Sequence, residues 1–105
     1  MAWTYLVIAG LFEIAWAVGL KYTEGFTRLW PSLGVITATV ISLYLLSVSL
    51  RTIPVGTGYA VWTGIGAAGT AGLGMILLDE PRDVARIVCI ALIISGVVGL
   101  RVFSR

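Results

Sequence analysis

Four long apolar stretches dominate this 105-residue chain and leave little sequence between them. Hydrophobic residues make up 59% of the chain and charged residues 11%, whereas about a quarter of an average globular chain is charged. A chain this short cannot bury so much apolar surface in its own core, so lipid is the expected solvent. The stretches are Ala2–Leu20, Leu29–Leu50, Ile53–Leu78 and Ile87–Leu100.

Each stretch predicts one membrane-spanning helix, because a span needs about 20 apolar residues. The fourth stretch is shorter, so its helix is expected to extend to both sides, with Arg86 and Arg101 reaching toward the membrane surfaces. Pro31 and Pro54 are expected in the first turns of the second and third helices. The sequence therefore predicts an all-α membrane protein. Its single transmembrane domain covers residues 1–105, with helices at about 2–20, 29–50, 53–78 and 84–103.

Charge and residue types argue against several classes of function. The seven Lys and Arg residues are scattered, so no nucleic-acid surface is predicted. The chain has no His and one Cys, so we expect no metal site, disulfide framework or cofactor. We expect no enzyme either, because no nucleophile–base pair or phosphate-binding loop can be drawn. Ala15-Trp16-Ala17 is similar to a signal-peptide cleavage site, but no Lys or Arg precedes it, and a cleaved leader is not expected.

Small residues are concentrated in the last two predicted helices. Helix three contains seven glycines, which predict close packing between helices and leave open whether this helix also bends. In helix four, Ala91, Ser95 and Gly99 recur at every fourth position, with Gly96 beside them. This pattern is typical of a helix-packing face, and we interpret it as a candidate contact between subunits.

Positive charge is nearly balanced between the two sides of the predicted domain. The N-terminus, second loop and C-terminus share one side and contain Arg51, Arg101 and Arg105, whereas the first and third loops contain the other four Lys and Arg residues. This balance specifies almost no orientation, so we interpret it as insertion in both senses. The alternative is that another feature selects one orientation. Two copies of opposite sense would form an inverted repeat, as in many transporters.

Glu13 is the only charged residue in the first apolar stretch. A carboxylate within a membrane is costly and is a functional-site candidate by default. Such a group can hold a proton or a cation but not both, which favours proton/cation exchange, and the alternative is a protonated structural carboxyl. Hydrogen bonds from Trp16, Ser42 and Tyr59 could orient it. Candidate neighbours are Gly10 and Trp16 on helix one, Thr39 and Ser42 on helix two, and Tyr59, Trp62, Thr63 and Gly66 on helix three.

Three segments carry a resemblance to a known family: FEIAWAVGLKYTEGFTRLWPS at 12–32, IPVGTGYAVWTGIGAAG at 53–69 and DEP at 79–81. Over essentially its whole length the chain resembles the small multidrug resistance family of four-helix bacterial exporters. The chain has Trp16 three residues after Glu13, and in this feature it resembles the guanidinium-exporting branch of the family. The quaternary-ammonium branch has a smaller residue at that position. Gly58 stands where the family pattern has Ala, which bears on local flexibility rather than on chemistry.

The resemblance implies an antiparallel, dual-topology homodimer in the bacterial inner membrane, in which both copies of Glu13 bind substrate or protons alternately. It further implies that Tyr59 and Trp62 line the pocket and that Gly10 leaves room beside the carboxylate. The expected function is proton-coupled export of guanidinium and small substituted guanidiniums, whose N–H donors match a carboxylate. The alternatives are a quaternary-ammonium or multidrug exporter of the same fold and a non-transporting membrane scaffold. The implied substrate- and proton-binding residues are Glu13, Trp16, Ser42, Tyr59, Trp62 and Gly10.

Overall fold

Four helices follow one another in the computed structural model, which describes residues 1–103 and contains no strand within that range. Each helix is long and apolar enough to cross a membrane, which confirms the prediction of an all-α protein with four transmembrane helices. Arg105, counted above for orientation, lies outside the described residues. The helices are α1 (Ala2–Tyr22), α2 (Leu29–Ser49), α3 (Val55–Leu77) and α4 (Val84–Phe103).

Local hydrogen bonds end α1 and turn the chain into α2. Thr23 is buried, and its hydroxyl donates to the Leu20 carbonyl (2.8 Å) while accepting the Phe26 N–H (3.2 Å). Glu24, Gly25 and Phe26 have φ values of 49°, 72° and 65°, in the left-handed region. This compact turn satisfies backbone groups that the end of a helix would otherwise leave without partners.

The ends of α2 and α3 follow the proline and glycine positions. Pro31 is the third residue of α2, and Pro54 is the residue just before α3, where its missing N–H costs no helical hydrogen bond. At the other end of α3, the N–H groups of Leu78 and Glu80 both donate to the Gly74 carbonyl, at 3.0 and 3.2 Å. These two hydrogen bonds to one carbonyl end α3 and begin the loop toward α4.

The core lies between the first three helices, and α4 stands apart. α1 packs against both α2 and α3, whereas α4 packs mainly against α3. None of the described residues of α4, 84–103, is buried. Its contact with α1 is an Arg101 guanidinium 5.0 Å from the centre of the Trp3 ring. The buried core residues are Leu6 and Ala9 on α1, Leu46 on α2, Ile53 before α3, and Val61 and Trp62 on α3.

Most of the glycines of α3 serve close packing within one unbroken helix. A β-carbon at Gly64 would overlap Val97 of α4, and one at Gly69 would overlap Ile14 of α1. One at Gly58 would overlap Leu50, so the glycine that departs from the family pattern is also a packing position. The structure thus gives these glycines a packing role, and α3 runs without interruption from residue 55 to 77.

Candidate functional site

Glu13 lies in the middle of α1, with its carboxylate against the backbone of Gly66 on α3. A β-carbon at position 66 would overlap the carboxylate, so glycine is what makes the room there. Glu13 Oε1 is buried and has no hydrogen-bond partner among the described residues. An unpartnered carboxylate in low-dielectric surroundings is costly unless it gains a proton or a cation. The position of Glu13 therefore suits a group that exchanges one for the other.

A groove of about 470 Å³ runs between α1 and α3 from Glu13 toward one end of the helices. Its inner part is lined by Glu13, Gly66 and the threonines Thr63 and Thr70. Its outer part carries two opposite charges, Lys21 at the end of α1 and Glu80 in the loop after α3. The carboxylate of Glu80 lies over Gly74, the glycine at the end of α3. The groove thus joins the carboxylate at mid-helix to a charged rim at the end of the helices.

A second polar cluster lies one helical turn before Glu13, where α1, α2 and α3 meet. The buried Ser42 hydroxyl donates to the Ala9 carbonyl (2.7 Å) and accepts the indole N–H of Trp62 (2.9 Å). The Tyr59 ring lies 5.7 Å from that of Trp62, centre to centre, with a tilt of 49°. Because Ala9 is one helical turn before Glu13, this cluster holds α1 to its neighbours directly beneath the carboxylate.

The structure separates the predicted site residues into these two groups. Ser42 and Trp62 are buried and bonded to each other, whereas Tyr59 is 57% exposed on the outside of the single chain. The Trp16 Nε1 atom is buried without a hydrogen-bond partner among the described residues. The predicted orientation of Glu13 by Ser42, Trp16 and Tyr59 stays a prediction, because Ser42 directs its hydroxyl to Ala9 in this chain.

Gly10 also has a specific neighbour in the structure. A β-carbon there would come within 2.6 Å of Ile65 on α3, so in this chain Gly10 allows close approach of α1 and α3. Its predicted role, to leave room beside the carboxylate, stays a prediction. Gly66 makes room for the carboxylate in this chain. The spacing of Tyr59, Trp62 and Gly66 in the sequence predicted only that these three residues share one face of helix three. A helix periodicity identifies which residues share a face, but it cannot identify the residue opposite on the next helix.

The sequence reasoning did not single out Thr70 or the charged rim. Thr70 lies in the uncharged, glycine-rich part of helix three, and nothing local in the sequence distinguishes it. Lys21 and Glu80 are far apart in the chain and come to the same groove only because α1 and α3 pack side by side. Among the described residues, no group of three or more His, Cys, Asp and Glu side chains could hold a metal ion.

Comparison with known proteins identifies relatives along the full chain. The family model described as "Small Multidrug Resistance protein" matches residues 1–93. A guanidinium exporter of Salmonella typhimurium is 56% identical over 105 residues, which cover both chains completely. Guanidinium exporters of Citrobacter freundii, 54% identical over 105 residues, and Yersinia pseudotuberculosis, 53% identical over 104, are similar to the chain over at least 99% of its length and all of their own.

Proposed function

This chain belongs to the Small Multidrug Resistance protein family, and we propose that it is a proton-coupled antiporter exporting guanidinium and small substituted guanidinium cations. It is a multi-pass transporter of the bacterial inner membrane. The observation that carries the proposal is the buried, unpartnered Glu13 carboxylate at the inner end of the α1–α3 groove. Relatives that are named guanidinium exporters share more than half of its residues.

Exchange follows from one carboxylate that serves two ligands. A bare carboxylate within a bilayer is unfavourable, so Glu13 is occupied by a proton or by a cation. When the cation binds, the proton has to leave, and when the proton returns, the cation is released. An inward proton gradient then drives the cation outward, provided that the groove opens to one side of the membrane at a time.

Guanidinium suits this carboxylate because its planar fork of N–H donors pairs with two carboxylate oxygens. Hydroxyl oxygens in the same groove, from Thr63 and Thr70, are acceptors for further N–H groups. A quaternary ammonium ion has no donors and relies on aromatic faces instead. Because aromatic residues lie near α1, a test of guanidinium transport should include a quaternary ammonium ion for comparison.

We further propose an antiparallel homodimer that uses the small-residue face of α4. Gly64 of α3 meets Ile93 and Val97, which fixes the side of α4 that faces its own chain. Ser95 and Gly99 each lie two residues further along, about 200° around the helix, so they point away from α3. A β-carbon at Gly99 would meet nothing within 4 Å. The balanced Lys and Arg count supports two copies of opposite sense. The whole predicted packing face comprises Ala91, Ser95, Gly96 and Gly99.

The test is proton movement in proteoliposomes driven by a guanidinium gradient, compared with a tetraethylammonium gradient. Glu13→Gln, which keeps the shape but removes the charge, is expected to abolish the flux. Glu24→Gln is the matched control, because Glu24 is exposed in the loop after α1. Flux with tetraethylammonium alone would assign the chain to quaternary-ammonium export. Absence of flux and of cation binding with a folded protein would favour a scaffold.

A further inference from the structure

Thr70 carries a buried hydroxyl that has no hydrogen-bond partner among the described residues. Three other helical hydroxyls donate to the carbonyl one turn earlier: Thr37 to Leu33, Thr39 to Val35 and Ser95 to Ala91, each at 2.8 Å. That bond is the ordinary way for a hydroxyl to be satisfied inside a membrane helix. Thr70 does not make that bond, so its buried hydroxyl is left without a partner at a residue that lines the groove.

The position of Thr70 relative to Glu13 is set by α3. Thr63, Gly66 and Thr70 are spaced i, i+3, i+7 and therefore share one helix face. The Glu13 carboxylate lies over Gly66, and Thr70 is one turn further, about 6 Å along the helix axis. The two buried oxygens without partners, Glu13 Oε1 and Thr70 Oγ1, thus lie on the same groove within about one turn.

We infer that Thr70 is a specificity-determining residue, whose hydroxyl accepts a hydrogen bond from an N–H donor of the cation held by Glu13. The inference deepens the proposed function and rests on it. A guanidinium that pairs two N–H groups with the carboxylate still has donors directed away from it, and each needs an acceptor in a site without bulk water. A hydroxyl one turn along the groove supplies such an acceptor. A tetraalkylammonium ion has no N–H group and gains nothing from it.

The expected consequence is selective. A site that provides an acceptor for a donor-bearing ligand loses affinity when the acceptor is removed, because the ligand's donor is then buried without a partner. Removal of the Thr70 hydroxyl should therefore weaken guanidinium binding and leave the binding of a cation without donors unchanged. If Thr70 had only a structural role, its substitution would leave the ratio of the guanidinium affinity to the affinity for the other cation unchanged.

The experiment measures the dissociation constants of guanidinium and tetraethylammonium by titration calorimetry on the purified full chain. Thr70→Val, which keeps the shape and removes the hydroxyl, should weaken guanidinium binding about tenfold, whereas Thr70→Ser should keep it within about twofold. Thr37→Val is the matched control, because the Thr37 hydroxyl is exposed and already bonded to its own helix. The pair Thr70→Ser and Thr70→Ala, which differ only in the hydroxyl, replaces the valine variant if that variant does not fold.

Two results would overturn the inference. One is guanidinium affinity in Thr70→Val within about twofold of the unchanged chain, since a lost hydrogen bond to a charged ligand costs more than that. The other is an equal loss for both cations, or an equal loss in Thr70→Ser, which would make shape the cause. Failure of the proposed function would give a different result: the chain without substitutions would then show no guanidinium exchange that depends on Glu13.

Discussion

The third and fourth helices both contain small residues at helical spacing, but most glycines of α3 are packed against other residues, whereas both glycines of α4 lie in open space. In α3, added β-carbons at Gly64, Gly66 and Gly69 would overlap neighbouring side chains on α4 and α1. In α4, β-carbons at Gly96 and Gly99 would meet nothing within 4 Å. The same residue type therefore closes a site within the chain in α3 and leaves a face open in α4. Spacing alone does not distinguish these two uses.

The apolar character of the two helices sharpens the contrast. α4 is long and apolar enough to cross a membrane, as α3 is, yet none of its described residues is buried within the chain. A helix in lipid is not driven to associate by its hydropathy, because lipid tails solvate it equally well. Close packing of small residues is one source of association between membrane helices, and α4 presents such a surface on the side away from α3.

The largest effect is expected from Gly66→Ala. The added methyl group would displace the Glu13 carboxylate, and misplacement of a reacting group by about 1 Å can cost about 100-fold in rate. Guanidinium-driven proton flux in proteoliposomes measures the loss. Gly72→Ala is the control on the same helix, because its β-carbon would lie in open space. Equal activity of the two variants would contradict the assignment of Gly66 as the room for Glu13.

A smaller effect, on assembly, is expected from Gly99→Leu. The chain itself has space for the larger side chain, but a second α4 packed on this face does not, and overpacking of this kind costs about 1–3 kcal/mol. The dimer dissociation constant should rise about tenfold or more, as measured by fluorescence energy transfer between labelled copies in liposomes. Ile94→Leu, a conservative change on α4 outside the small-residue face, should leave it unchanged. An unaffected dimer in Gly99→Leu would place the subunit contact elsewhere.

Ser42→Ala tests the polar cluster within the first three helices. It removes the hydroxyl that bonds the Ala9 carbonyl and the Trp62 indole, and the expected loss of stability is about 1 kcal/mol, typical of hydrogen bonds between membrane helices. Ser95→Ala is the matched change on α4, where the hydroxyl bonds only its own helix. Thermal unfolding in detergent compares them. A similar shift for both would remove the distinction between the packed helices and α4.

The smallest expected energetic effect is on the orientation in which the chain inserts into the membrane. Two lysines added to the C-terminus should bias insertion toward one sense, because the unchanged chain has a difference of one charge between its two sides. Cysteine-labelling of the termini in intact cells reports the sense. Transport should fall in the biased chain and recover when a copy with the opposite bias is expressed beside it. Transport by a population with a single orientation would exclude the antiparallel dimer.

The positions of the four helices were predictable because each depends on local properties. Apolar run length, the prolines at 31 and 54, and the short polar connections are read directly from the chain. Glu13 was identifiable for a similar reason, since a single carboxylate in an apolar run is conspicuous. The neighbours of Glu13 were harder to predict, and Thr70 was not identified, because a threonine in a helix usually bonds its own backbone.

The sequence by itself determined that this chain spans a membrane four times, carries one carboxylate in its first span and belongs among small exporters of cations. Only the tertiary structure decided that the carboxylate faces Gly66, that Ser42 bonds Ala9 and Trp62, and that α4 packs mainly on α3. The physical reason is the range of the interactions. Solvation by lipid acts on each stretch independently, whereas a helix chooses its neighbour through contacts between residues that are distant in sequence.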